Sequence, residues 1–184
     1  MEEWVVVDRK GSLVNPCCLS RASLARTRGC MSVDVGTKAP DFTLTSDEGK
    51  PVTLSHNLGS NVVLAFFPAA FSSVCTKELC TFRDQMSRLN AANAKVFGIS
   101  VDTFFALKAF REQQQLTFPL LSDFNKEVIQ QYGVYNPDMI GLKGISLRAV
   151  FVLDTAGIVR HAEILLDGRN EPNYDQVFDT LASL

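Results

Sequence analysis

Phe66-Phe67-Pro68-Ala69-Ala70-Phe71-Ser72-Ser73-Val74-Cys75-Thr76-Lys77-Glu78-Leu79-Cys80 is the stretch on which the reading of the chain turns. The continuous apolar run at 62–67 predicts a strand covered on both faces. Pro68 follows it, a loop of mostly small residues comes next, and Cys75 falls at the first turn of a helix predicted over 76–90. A helix start presents unpaired N–H groups and the positive end of the helix dipole, both of which favour thiolate over thiol. The competing reading is a buried cysteine that acts as a small hydrophobe.

Upstream, 39–44 and 51–54 flank the turn-forming cluster Asp47-Glu48-Gly49-Lys50 and predict a short hairpin. Downstream the pattern alternates: strand at 95–101, helix at 103–115, short strand at 118–121, helix at 125–132. Residues 149–154 and 158–165, joined at Thr155-Ala156-Gly157, read as an antiparallel hairpin, and 173–184 as a closing helix. Parallel strands linked by crossover helices and finished by an antiparallel pair predict an α/β fold, a mixed central sheet flanked by helices.

The chain has 184 residues, 46% hydrophobic and 21% charged, which suits one core and one domain. Eighteen basic and twenty acidic side chains leave a formal charge of −2, which gives no case for nucleic acid or an anionic membrane as partner. No apolar run approaches the roughly 18 to 20 residues of a membrane span. Residues 1–32 fit the globular pattern poorly, with Pro16-Cys17-Cys18, an arginine-rich run at 20–28 and what reads as a fresh start at Met31-Ser32-Val33. Two readings stay open there: a non-catalytic, over-extended N-terminus, or an organelle-targeting segment, which Glu2, Glu3 and Asp8 oppose. The functional domain is expected over 33–184. Five cysteines, three of them before residue 33, form no regular secreted framework and point to a reducing compartment, the cytoplasm first. His56 and His161 are the only histidines and neither is near the cysteines in sequence, so no metal and no cofactor is expected.

Pro68, Ser72 and Cys75 spell Pro-x-x-x-Ser-x-x-Cys. This resembles the active-site signature of the peroxiredoxins, thiol peroxidases of the thioredoxin-fold superfamily, which accept Thr or Ser where Ser72 stands. Val35-Gly36-Thr37-Lys38-Ala39-Pro40-Asp41-Phe42 is similar to the family's opening and Phe118-Pro119-Leu120-Leu121-Ser122-Asp123 to its middle. Within the family the chain looks most similar to the alkyl hydroperoxide reductase E type, with a second likeness to the bacterioferritin-comigratory-protein type. The resemblance implies a thioredoxin-like fold and the reduction of hydrogen peroxide and organic hydroperoxides through a cysteine sulfenic acid. It further implies thioredoxin or another thiol as reductant, and a homodimer.

On that resemblance Cys75 is the nucleophile. The Ser72 hydroxyl accepts from the peroxide and donates to the thiolate, or else caps the helix. Arg148, in a Ser-Leu-Arg-Ala-Val-Phe context, resembles the family's catalytic arginine and offers forked donors; the competing reading is a solvated charge at a strand end. Pro68 shields the sulfur and fixes the loop. Glu78 either anchors Arg148 or simply complements the helix dipole. Cys80 stands where the comigratory-protein type often carries a resolving cysteine. Five residues along a helix give about 7.5 Å of rise and about 140° of rotation, so a Cys75–Cys80 bridge requires the first turns to unwind. The alternative is an external thiol with Cys80 buried. Phe66, Phe67, Phe71 and Phe82 are either core or an apolar rim for organic hydroperoxides. A thioredoxin-like disulfide oxidoreductase is disfavoured because Glu78 stands where Cys-x-x-Cys needs cysteine. A redox sensor or chaperone-like module that uses the same reactive cysteine is the rival function.

Overall fold

The computed structural model describes residues 33–184. The N-terminal extension, with Cys17, Cys18 and Cys30, lies outside the described residues. In chain order the elements are β1 (Thr43–Ser46), β2 (Pro51–Thr53), a 3-10 turn (Ser55–Asn57), β3 (Asn61–Phe66), α1 (Ser73–Asp84), α2 (Met86–Ala91) and β4 (Ala94–Ser100). They continue with α3 (Phe104–Gln114), β5 (Leu120–Ser122), α4 (Glu127–Gln131), β6 (Tyr135–Asn136), β7 (Ile145–Ser146), β8 (Arg148–Leu153), β9 (Val159–Leu165) and α5 (Tyr174–Ala182).

Seven strands form one sheet in the order β2-β1-β5-β4-β3-β8-β9. β3 and β5 flank β4 in parallel, and the other pairings are antiparallel. This is the mixed α/β sheet read from the sequence. The alternation of β3 explains why its whole run is apolar. Val62, Leu64 and Phe66 enter one core with Phe151 and Tyr132, and Val63, Ala65 and Phe67 enter the other with Leu79, Phe82 and Phe110. α4 covers the first face, while α1, α2, α3 and α5 cover the second. Gly98 in β4 leaves the room that the second core uses: a Cβ there would lie 2.6 Å from Leu120 Cδ2 and 3.3 Å from the Phe67 ring.

Two local expectations change. The helix expected over 76–90 is two helices. At Gln85 the N–H is shared between the carbonyls of Thr81 (3.1 Å) and Phe82 (3.2 Å), which tightens the turn and closes α1 before α2 starts. Residues 133–147, to which the sequence assigned no element, form a small β6–β7 ribbon with Tyr135 opposite Ser146 and Asn136 opposite Ile145. One register positions the chemistry. Phe66, the last residue of β3, pairs with Ala149 of antiparallel β8. Arg148 therefore enters the sheet where β3 leaves it, beside the loop that carries Cys75.

Candidate active site

That loop is fixed before the helix begins. The Phe67 N–H still reaches the Ile99 carbonyl (3.0 Å), and the chain departs at buried Pro68. The Ala70 N–H then donates to Asp102 Oδ2 (2.8 Å), a carboxylate oxygen that also accepts from the Ser100 hydroxyl (2.9 Å). Phe71 takes a φ of 65°, uncommon for a residue with a side chain, and its ring packs against Phe110 at 5.0 Å. Ser72 follows at the N-cap position of α1, and the Thr76 N–H to Ser72 carbonyl bond (2.9 Å) opens the helix. The N–H groups of Ser73, Val74 and Cys75 therefore point out of the helix start. The Ser72 hydroxyl makes no capping bond.

Cys75, Glu78 and Arg148 meet in the interior. Glu78 follows Cys75 by three residues, so the two share a helix face. Arg148 Nη1 donates to Glu78 Oε2 in a close ion pair, and Nη2 donates to Cys75 Sγ (3.4 Å) and to the Gly168 carbonyl (3.0 Å). Cys75 and Arg148 are each 1% exposed and Glu78 is fully buried, so Arg148 is not a solvated strand-end charge. A guanidinium that donates to sulfur away from water stabilises negative charge there more than a solvated one would. Burial pushes the Glu78 carboxyl up to about 7, against the opposing pull of the Arg148 charge and hydrogen bond. Glu78 Oε1 and Arg148 Nε are left without partners.

Pro68, Ser72, Cys75 and Arg148 line one side of a cavity of about 490 Å³. Its other walls come from the β6–β7 loop (Met139, Ile140, Leu142) and the segment after β9 (Leu166 to Arg169). Ile140 is 93% and Leu166 82% exposed, which gives the mouth an apolar lip. Arg169 pairs with Asp167 there (2.8 Å) and holds its carboxyl down to about 2. Of the two readings left open for the phenylalanines, core and not cavity rim is what the structure shows. Phe66, Phe67 and Phe82 are fully buried in the two cores, Phe71 lies on Phe110, and none lines this cavity, because β3 and α1 turn those rings into the sheet packing.

Cys80 sits on another face of α1. It is half-buried, and its thiol donates to Gln114 Oε1 at the end of α3 (3.8 Å). Both described cysteines are free thiols. Sequence reasoning missed Asp102, Gly168 and the apolar lip. An aspartate just after a strand was the only local signal among them. Among the described residues no cluster of three or more metal-ligating side chains occurs, and no helix is long and apolar enough to cross a membrane.

A buried cysteine held against an arginine at a helix start, on a mixed sheet, defines a class of thiol enzymes, and comparison with known proteins agrees. The AhpC/TSA family model matches residues 35–162. A bcp peroxiredoxin of Coxiella burnetii is 42% identical over 132 residues, covering 70% of this chain and 87% of its own. Chloroplastic peroxiredoxin Q of Oryza sativa subsp. japonica is 39% identical over 148 residues, 77% of this chain and 66% of its own. Among solved structures, peroxidoxin BcpB of Mycobacterium tuberculosis superposes with a TM-score of 0.73 at 33% identity, over 82% of this chain and 97% of that one. The chain belongs to the AhpC/TSA family, the peroxiredoxins, and is a thiol-dependent peroxidase with a thioredoxin-like fold. Of the two subtypes it resembles in sequence, two of these three relatives carry the name of the comigratory-protein type.

Proposed function

We propose that Cys75 reduces hydrogen peroxide and organic hydroperoxides by direct attack. The observation that carries this reading is the hydrogen bond from Arg148 Nη2 to Cys75 Sγ at the base of the cavity. The thiolate attacks the distal oxygen, the O–O bond breaks, and sulfur gains the hydroxyl as a sulfenic acid. The departing alkoxide takes a proton and leaves as an alcohol, or as water from hydrogen peroxide. Arg148 stabilises the sulfur charge before attack and the oxygen charge during it. The Ser72 hydroxyl, unused by the helix, orients the peroxide. Preorganised donors of this kind are commonly worth a factor of about a hundred or more each. Pro68 keeps water from the sulfur, and Glu78 holds Arg148 in place as a positioning residue.

The cycle closes when a second thiol attacks the sulfenic acid and expels water. We assign that step to Cys80, followed by reduction of the disulfide by thioredoxin or another thiol. The half-buried position of Cys80 supports this, but its orientation towards Gln114 means α1 must unwind first. A homodimer, which rests on family resemblance, in the cytoplasm, which rests on the irregular cysteine pattern, completes the reading. The test is peptide mass spectrometry and thiol counting of wild type, Cys80→Ser and Cys75→Ser after one equivalent of hydrogen peroxide. Mapping is needed because Cys17, Cys18 and Cys30 are also present. A Cys75–Cys80 bridge in wild type and a sulfenic acid on Cys75 in Cys80→Ser are expected. A sulfenic acid on wild-type Cys75 with Cys80 free makes the resolving thiol external, and an unreactive Cys75 sinks the mechanism. Rapid multiple turnover with a thiol reductant separates the peroxidase from a redox sensor, which would be oxidised stoichiometrically and change only its binding.

A further inference from the structure

Among the described residues, Met139 is the only sulfur side chain besides Cys75 in the wall of the catalytic cavity. It is half-buried and packs against the core of Phe66 and Tyr132. Its sulfur is wedged against Gly168: a Cβ built there would lie 2.9 Å from both Met139 Sδ and Cε. The Gly168 carbonyl accepts from Arg148 Nη2 (3.0 Å), the same nitrogen that donates to Cys75 Sγ (3.4 Å). A thioether thus lines the peroxide's cavity beside the glycine whose carbonyl steadies the arginine. The backbone that carries Met139 is held in place. Its N–H and carbonyl exchange bonds with Leu142 (3.0 Å each), the Gly141 N–H bonds Asp138 Oδ1 (3.0 Å), and Ile140 is held at a φ of 51°.

We infer that Met139 is a modification site: hydroperoxide in the cavity oxidises its thioether to the sulfoxide, and this slows turnover. The inference rests on the reading that the peroxide enters this cavity to meet Cys75. The sulfur lone pair attacks the distal peroxide oxygen, the O–O bond breaks, and the hydroperoxide proton passes to the departing alkoxide. One sulfoxide and one alcohol result. Sulfur loses two electrons, the peroxide gains them, and no other reactant is consumed. A neutral thioether is a weaker nucleophile than a thiolate, so the reaction competes when peroxide outruns the reducing thiol and Cys75 is already oxidised. The added oxygen is a strong acceptor placed beside Gly168, and Arg148 and Arg169 are the cationic donors lining the cavity. Displacing Gly168 or capturing Arg148 has the same effect, because either one draws the guanidinium from Cys75. The lesion is reversible by methionine sulfoxide reductases.

The test is a titration of wild type, Met139→Leu and Cys75→Ser with tert-butyl hydroperoxide under limiting dithiothreitol, followed by peptide mass spectrometry and peroxidase assay. Met86, also half-buried but packed on the other core, is the internal reference. A single-oxygen gain on Met139 well ahead of Met86 is expected in wild type and in Cys75→Ser. Wild-type turnover should fall with it, towards the roughly hundredfold loss that follows removal of one preorganised donor, and recover with methionine sulfoxide reductase. Met139→Leu, measured against its own untreated rate, should keep its turnover through the same exposure. Sulfinic acid on Cys75 adds two oxygens and does not respond to that reductase, so it is read separately. Oxidation of Met139 no faster than Met86, loss of its preference in Cys75→Ser, or full oxidation without loss of turnover overturns the inference. Failure of wild-type Cys75 to lose its thiol in the same samples overturns the peroxidase mechanism instead, whatever happens at Met139.

Discussion

Glu78→Gln keeps the shape of the side chain that holds Arg148 and removes its titration. In the folded chain burial raises the Glu78 carboxyl to about 7 from the ordinary 4.5. Between those values the folded state keeps a proton that the unfolded chain has released. The stabilisation is therefore fully present below pH 4.5 and is lost as pH rises through 7. The gap of about 2.5 pH units, at about 1.4 kcal/mol per unit, amounts to roughly 3 kcal/mol. Urea unfolding of wild type and Glu78→Gln from pH 4.5 to 8 isolates it, because groups common to both proteins cancel in the difference. Wild type should lose up to roughly 3 kcal/mol relative to the variant across that range. Parallel curves, or a wild type that gains on the variant as pH rises, refute the reasoning. Parallel curves would mean that the attraction of Arg148 cancels the effect of burial, and a gain that it outweighs burial. Glu78→Ala provides the contrast. It leaves Arg148 buried and unpaired, a change that typically costs about 3–5 kcal/mol, and peroxidase kcat/KM should fall further than in Glu78→Gln.

Three further outcomes rest on the geometry. Gly98→Ala forces a methyl against Leu120 and Phe67 and should cost about 1–3 kcal/mol in urea unfolding; a neutral result would show that Leu120 swings away freely. Ser72→Ala should lower kcat/KM for hydrogen peroxide by about a hundredfold. Because the hydroxyl caps nothing, its Tm should hardly move, and a loss of about 1 kcal/mol would restore the capping role. Ile140→Asn replaces a β-branched residue at a φ of 51° with one that tolerates it, so stability should rise by about 1 kcal/mol. The ratio of kcat/KM for cumene hydroperoxide to that for hydrogen peroxide should fall at the same time, since the lip loses its apolar side chain; an unchanged ratio removes the lip from substrate choice.

What the sequence disclosed about this site tracks the range of the forces involved. The 62–67 run was legible because a strand buried on both faces must be apolar throughout, and Cys75 was legible because helix starts have a local signature. Glu78 stayed undecided between dipole and anchor. Its partner lies 70 positions away, and only the register of Phe66 with Ala149 brings Arg148 to it. The lip was invisible for the same reason: Met139, Ile140 and Leu166 come from two connections whose positions are set by the β6–β7 ribbon and by the wedge of Met139 against Gly168. Phenylalanines close in sequence to Cys75 were the only rim candidates on view, beside the core role that they take, because proximity along the chain was the only guide.

The same geometry bears on how the enzyme resets. α1 carries Cys75 and Glu78 on the face that meets Arg148, and Cys80 on the face that meets Gln114. A bridge between Cys75 and Cys80 must close a loop that contains Glu78, so it cannot form while Glu78 holds the arginine. The turn that assembles the reactive centre is then the turn that an internal disulfide has to dissolve. Burial of the Glu78–Arg148 pair sets the cost of opening. That pair is weak evidence for stability, since both groups have been taken out of water, and the partner-less Glu78 Oε1 and Arg148 Nε show that its desolvation is incompletely repaid. On the proposed mechanism such a pair holds the site for the peroxide, and its opening costs less than that of a fully satisfied network.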